Sequence, residues 1–453
     1  MSSVSRDPET EHTIKGREAH TTRSSPLLVL SSFLHLPRNV YLLLVFTLGK
    51  GLQLTIATLT INYYAYSLGY TQEFIGIFSA MPAIGAFLGA FPAGLLADRF
   101  GRKPILLASA ILSPLFLVCI GLVTSAPLLL AFSLIQGLVS TAYWVTNLPL
   151  LTESTTANQR VGVIALNSFL MLGIGSLGNL LGGAIPEFVA GLLHVPANSP
   201  EPLRWGVIAA SLFTFLFGLP LWLLKESKPV DEAPAAETVV AVPEPGAAEA
   251  VVASTEPKAS QEKLPVWLFV KLLFPDLLFT MGEGAVVALI QIYFVIRFQL
   301  LPGELGVIFT FSGLAGGIFS LLAPLLTRRW EKIRIVTLVQ YISAPLMVLI
   351  GFAPSLLVAI GGEYARSILR TIIEPVYATF AMEQVSNRHR SKLAGLYSTT
   401  WSIGFSVGPS IAGWLQQHVS LSTSFVYGAG CLVLSATLLL LFFGRKRSVV
   451  SSS

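Results

Sequence analysis

Gly94-Leu95-Leu96-Ala97-Asp98-Arg99-Phe100-Gly101-Arg102-Lys103-Pro104 decides how this chain folds. An apolar run over 73–97 leads into the stretch and a second, over 104–124, leads out of it. Between the two runs the chain is short and polar. Asp98 can accept hydrogen bonds at a helix end, Gly101 lets the backbone reverse, and Arg99, Arg102 and Lys103 put three positive charges in the turn. Two apolar helices joined by a tight basic hairpin are neighbouring transmembrane spans, and basic loops of that kind stay on the cytoplasmic side.

Crossing the ~30 Å hydrocarbon layer takes ~20 apolar residues in a helix. Working outward from the hairpin, the sequence predicts spans 1 to 12 near 40–66, 73–97, 104–124, 126–151, 161–185, 205–225, 269–297, 305–326, 334–352, 355–383, 393–415 and 423–443. Composition agrees, because 53% of the 453 residues are hydrophobic and 12% are charged, about half the ~25% usual in soluble proteins. The net charge of +5 does not indicate nucleic acid, since the bases fall between apolar runs rather than on one soluble face. Cys119 and Cys431 each sit inside an apolar run, far apart, and read as packing residues.

The predicted organisation is a cytoplasmic tail over 1–38, a six-helix bundle over 39–225, a linker over 226–264, a second bundle over 265–444 and a tail over 445–453. The linker is rich in Pro, Ala, Glu and Val and lacks aromatic residues, so it has little with which to order itself. The N-terminal tail lacks the basic-then-apolar order of a cleaved signal peptide. With both termini cytoplasmic, Arg99, Arg102, Lys103, Arg160, Arg328, Arg329, Lys332, Arg334, Arg388, Arg390, Lys392 and the Arg445–Arg447 cluster all lie inside, and only Arg204 and Arg297 lie outside. A multi-pass protein of the plasma membrane is expected.

The two halves repeat. At an offset of 230, Glu153 and Arg160 align with Glu383 and Arg390, while Leu166, Ser168, Ser176, Gly178 and Gly183 align with Leu396, Ser398, Ser406, Gly408 and Gly413; Gly76 aligns with Gly306. In span 1, Gly49-Lys50-Gly51 pairs with Gly282-Glu283-Gly284 of span 7 at an offset of 233.

The stretch from Gly94 to Pro104 resembles the signature loop of the major facilitator superfamily, and the twelve spans, central linker and half-repeat resemble that family across the chain. The resemblance implies an all-α membrane fold of two pseudo-symmetric six-helix bundles around a cavity lined by spans 1, 4, 7 and 10. It also implies a latch: Asp98 and the loop bases hold the cytoplasmic ends of the other half, near Lys392–Gly395, in the outward-open state. Glu153, Arg160, Glu383 and Arg390 are expected to join this latch. The matching loop of the second half, Thr327–Lys332, looks decayed and keeps mainly its charge. Drug-exporting antiporters of the superfamily carry a Gly-rich string in span 5. Here span 5 reads Gly178, Asn179, Leu180, Leu181, Gly182, Gly183, and span 11 holds a fuller version in Gly404, Gly408, Pro409 and Gly413. Close helix approach with a kink is the physical reading of both strings.

Ionisable groups at bilayer depth cost ~2.5 to 3.5 kcal/mol each on insertion scales, so each needs a reason. Span 10 carries Glu363, Arg366, Arg370 and Glu374, spaced three, four and four so that all share one helical face. Span 1 carries Lys50, and span 7 carries Asp276 and Glu283. Span 4 offers Ser133, Gln136 and Ser140 at the positions matching Glu363, Arg366 and Arg370, with Tyr143 and Trp144 close by. A carboxylate stripped of water binds a proton more readily. Glu283 is the expected proton carrier, countered by Arg366 or Arg370 in one state. Lys50 is either its partner across the pseudo-two-fold axis or a contact for an anionic solute group; a purely structural ion-pair network is the competing reading. Asp276, nearer the cytoplasmic end, reads as solvated or interfacial, and Tyr63, Tyr64, Tyr66 and Tyr293 read as an interfacial belt.

The expected function is secondary active transport, namely proton-coupled export of small amphipathic compounds by a monomer in a lipid bilayer. Uptake or exchange of a polar or charged metabolite is the alternative within transport, and a non-transporting receptor or assembly factor is the alternative outside it. No enzyme, cofactor, metal or nucleic-acid partner is expected, because the sequence has no nucleotide loop, no Cys/His cluster and no nucleophile with a nearby His and acid.

Overall fold

The computed structural model describes residues 36–225, 266–320 and 330–444. The expected tails, the linker over 226–264, the end of span 8 and Thr327, Arg328 and Arg329 lie outside the described residues.

Twelve helical spans appear, labelled α1 to α12 to match the sequence. The N-terminal half holds α1 (Arg38–Ser67), α2 (Gln72–Phe100), α3 (Arg102–Leu122) and α4 (Ala126–Glu153). Its fifth span, α5, is broken, with helix Ala157–Ser168, a π-helical turn Phe169–Ile174 and helix Leu177–Leu193; α6 follows as Pro200–Gly218 with a tight turn Leu219–Leu223. In the C-terminal half α7 is also in two pieces, Val266–Val287 and Ile290–Phe298, followed by α8 (Pro302–Ser320), α9 (Lys332–Gly351), α10 (Leu356–Glu383), α11 (Asn387–His418) and α12 (Thr423–Phe443). Among the described residues ten spans are long and apolar enough, by length and composition, to cross a membrane; α10 and α11 are not among them. In α10 the cause is its four internal charges, which need protein neighbours in place of lipid. Prolines inside α2, α3, α4, α7, α9, α10 and α11 are tolerated because neighbouring helices satisfy the freed backbone groups.

Helix contacts follow a two-fold rule. In the first half α2 packs on α4, α1 on α5 and α6, and α3 on α4 and α6; in the second, α8 packs on α10, α7 on α11 and α12, and α9 on α10 and α12. The halves join through two further pairs, α2 with α11 and α5 with α8. Each seam is built on glycine. A Cβ on Gly413 would lie 2.9 Å from the Gly76 Cα, and one on Gly306 would lie 3.2 Å from the Gly183 Cα. Small residues that let backbones approach are how helices bind in lipid, where apolar burial gives little drive.

The 230 offset holds for these seams, but the 233 offset for α1 and α7 does not. A Cβ on Gly178 of α5 would meet Leu52 of α1, whereas one on Gly408 of α11 would meet Met281 of α7, which sets the helices at an offset of 229. Hydrogen bonds agree, since Tyr64 donates to the Gly121 carbonyl (3.3 Å) and Tyr293 to the Gly351 carbonyl (3.1 Å). Lys50 and Glu283 are therefore not structural counterparts. Glu283 sits about one helical turn farther along its helix, a slip that sequence conceals because four residues return to the same face.

Candidate functional site

Arg366 organises the charged interior. It is 2% exposed and grips Glu363 with both ends of its fork, Nε to Oε2 at 2.9 Å and Nη2 to Oε1 at 3.0 Å, while Nη1 donates to Glu283 Oε2 of α7 at 2.8 Å. Planar two-point recognition of carboxylate is what guanidinium does best. Arg370, one turn on, has Nε 4.0 Å from the same Glu283 oxygen and Nη1 3.6 Å from Glu374 Oε1. Side-chain exposure rises along α10, from 2% at Arg366 to 29% at Arg370 and 32% at Glu374. The ladder is sealed toward the start of α10 and accessible toward its end.

The first half answers with a single cation. Lys50 Nζ donates to Ser113 Oγ at 3.2 Å and lies 6.0 Å from the centre of the Tyr143 ring, and Gln136 donates to the same hydroxyl at 3.4 Å. Ser133 is buried against the same helices, and Trp144 packs edge-on to Tyr143. The expected Lys50–Glu283 partnership is not formed: the ion pairs of Glu283 run to Arg366 and Arg370. The one-turn slip between α1 and α7 is the reason. Below Lys50 lies a polar knot absent from the sequence reading. Thr47 donates to Asn167 Oδ1 at 2.7 Å, and Asn147 donates to Asn167, Tyr143 and Thr47.

Asp276 also departs from expectation. Far from solvated, it is 2% exposed, accepts a hydrogen bond from Thr400 and leaves Oδ1 without a partner. Pro275 and the packing of α7 against α11 and α12 bury it. The tyrosines are not a lipid-facing belt either. Tyr63, Tyr64 and Tyr293 are buried and donate to backbone carbonyls, with Tyr63 reaching Leu300 in the other half; Tyr66 is partly buried against the core.

Near the chain ends the charges pair within each half. Arg102 binds Glu153 and Lys332 binds Glu383, at positions related by the 230 repeat. Arg160 and Arg390 repeat as well, donating to the Thr152 and Met382 carbonyls. Lys332 thus fills the place of Arg102, in keeping with a second loop that retains its charge. Gly94 is buried in α2, Gly101 turns with a φ of 91°, and Arg99 lies over the Phe100 ring. Asp98, Arg99 and Lys103 make no ion pair among the described residues, and the expected contact with Lys392–Gly395 is not made here.

Cross-half bonds gather at the opposite end. Asn62 donates to the Ala288 carbonyl at 2.9 Å, the Gly303 amide to Glu187 at 2.9 Å, and the Gln72 amide to Gln417 at 3.3 Å. The glycine strings line joints within each half, Gly178 and Gly182 facing α1 and Gly404 and Gly408 facing α7, while Pro409 meets Gly284 of its own half and Gly76 of the other. The two halves thus meet at the end remote from the chain termini, and the charged ladder is more accessible toward the other end.

Residues 41–365 match the Major Facilitator Superfamily. This chain belongs to that superfamily. Within the superfamily it is 31% identical over 155 residues to mouse solute carrier family 22 member 2, which covers 34% of this chain and 25% of the relative. It is 29% identical over 154 residues to a probable 4-methylmuconolactone transporter of Cupriavidus pinatubonensis, covering 33% of this chain and 34% of that one. The match thus spans about a quarter to a third of these relatives' length. In architecture the superfamily member is similar to the crystal structure of a bacterial homologue of the human lysosomal transporter Spinster, in an inward-facing and occupied conformation. That likeness has a TM-score of 0.71 at 16% identity and covers 93% of this chain and 99% of the other.

Proposed function

We propose that this protein is a secondary active transporter that moves a small amphipathic solute bearing an acidic group, by alternating access and in exchange for protons. The supporting observation is the uneven partnering of the interior charges. Glu283 and Glu363 share Arg366, while among the described residues Lys50 is buried against the Ser113 hydroxyl and the Tyr143 ring with no carboxylate in ion-pair reach. A cation taken from water without a counter-charge is costly, and an acidic solute would supply the missing partner. Tyr143 and Trp144 beside it offer aromatic faces to an apolar body. Membership of the superfamily and similarity to proteins named as transporters support the coarser part of this reading.

Proton exchange is assigned to Glu283. In the state described its carboxylate is held by Arg366 of the same half, and a shift of α10 against α7 within that half would free the carboxylate to take a proton. Export is the direction favoured by the glycine string and Pro409 in α11. Uptake of a charged metabolite is the second reading, favoured by the accessible Arg370 and Glu374.

The test uses vesicles from cells that make the full chain, challenged with a panel of aromatic carboxylic acids under an imposed pH gradient. The wild type is expected to move protons when the right acid is added. Glu283→Gln should lose pH-driven movement while retaining solute exchange, and unchanged pH-driven flux in that variant would remove the proton role.

A further inference from the structure

We propose that Asp276 is a second proton-binding site of the C-terminal half, separate from Glu283 and protonated in the state described. Its surroundings carry the case. Asp276 and Gln340 are each 2% exposed, and both leave an acceptor unpartnered, Oδ1 of the aspartate and Oε1 of the glutamine. The two side chains line one small cavity, completed by Phe279, Glu374, Tyr377 and Tyr397. A hydrogen on the carboxyl supplies a donor to the acceptors of that cavity, and no rearrangement of the helices is required.

Every element around the carboxyl presents a neutral or negative group. From α10 come Glu374, whose partner is Arg370, and Tyr377, whose hydroxyl is committed to the Leu272 carbonyl. From α11 come Tyr397 and Thr400, from α9 Gln340, and from α12 Ser435, which donates to the Pro275 carbonyl. No cation forms an ion pair with Asp276 among the described residues, in contrast to Glu283. A buried carboxylate with no cation beside it is costly to ionise.

Position gives the site a use. Asp276 precedes Glu283 by two helical turns, so both present toward α10. Between them on α10, Arg370 links Glu283 to Glu374, and Glu374 is the most accessible member of the ladder while also lining the Asp276 cavity. A proton leaving the Asp276 carboxyl passes to the Glu374 carboxylate or to water beyond it, with no other reactant. This inference stands whether or not Glu283 is the coupling group.

Infrared spectroscopy of the full chain in lipid nanodiscs tests it. The sequence holds four aspartates, Asp7, Asp98, Asp231 and Asp276, and Asp98 is exposed while Asp7 and Asp231 fall outside the twelve spans. With carboxyl-13C aspartate, a protonated-carboxyl stretch present at neutral pH should move to lower frequency. It should vanish in Asp276→Asn, persist in Glu283→Gln and be unaffected by exchanging sodium for potassium. Labelling alone decides if the asparagine variant fails to fold. Absence of any label-sensitive protonated band at neutral pH would overturn the proposal, as would its selective removal by sodium, which would make the cavity a metal-ion site.

Discussion

Arg366 and Lys50 are both buried cations, yet their substitutions should act in opposite directions. Removing Arg366 leaves two carboxylates without their shared partner, so Arg366→Met is expected to cost about 3 to 5 kcal/mol, read as a lowered melting temperature in detergent. An unchanged melting temperature would mean that water already solvates the pair. Lys50→Met removes a charge that no carboxylate among the described residues compensates, so stability should hold or rise while binding of acidic solutes, followed by calorimetry, is lost. Much of this was legible from residue spacing: charges at 363, 366, 370 and 374 share one face whatever the helix packs against. What spacing could not reveal was the level of each residue along its helix. A slip of four residues keeps the face and moves a side chain about 6 Å, enough to part Lys50 from Glu283. The burial of Asp276 was hidden for a similar reason, since depth depends on what α9, α11 and α12 place beside it.

At the level of helices, the seams α2–α11 and α5–α8 set which state is stable. A Cβ on Gly76 or Gly413 would press on the opposite backbone, as would one on Gly183 or Gly306. Gly413→Val and Gly183→Val are each expected to wedge the sealed end apart and shift the population toward the opposite opening. Spin-label distances across the seam should lengthen in both variants, by similar amounts because the seams are related by the repeat; distances unchanged would show that the seams give way without moving the halves. The end-on pairs should matter far less: Glu153→Ala and Glu383→Ala break half-exposed ion pairs worth less than about 1 kcal/mol apiece. Span positions were readable because apolar length is a requirement of the bilayer itself. The break in α5 was not, because nothing in Phe169–Ile174 distinguishes a π turn from an ordinary helical stretch.

Across the whole molecule, the hydrogen bonds joining the halves collect at the end remote from Arg38 and Gly444, where Gln72 meets Gln417. Cysteines replacing that pair, Gln72→Cys with Gln417→Cys, should cross-link readily on oxidation and stop transport, with recovery on reduction. Undiminished transport by the cross-linked protein would rule out opening at that end. The repeat that makes this architecture was visible in the sequence, since Gly76, Gly183, Gly306 and Gly413 align at one offset; their role as contacts between halves appeared only when the helices were assembled.

Those four glycines also speak to ancestry. The first half offers Gly76 to the second and receives Gly306 on Gly183, while the second receives Gly76 on Gly413. If the halves were two copies of one shorter chain, both seams would collapse into a single self-complementary patch meeting itself across a dyad, the hallmark of an isologous homodimer. A six-helix forebear could thus have paired with its own twin through this surface before fusion, and any change at one glycine would then have been felt on both sides of the dimer at once.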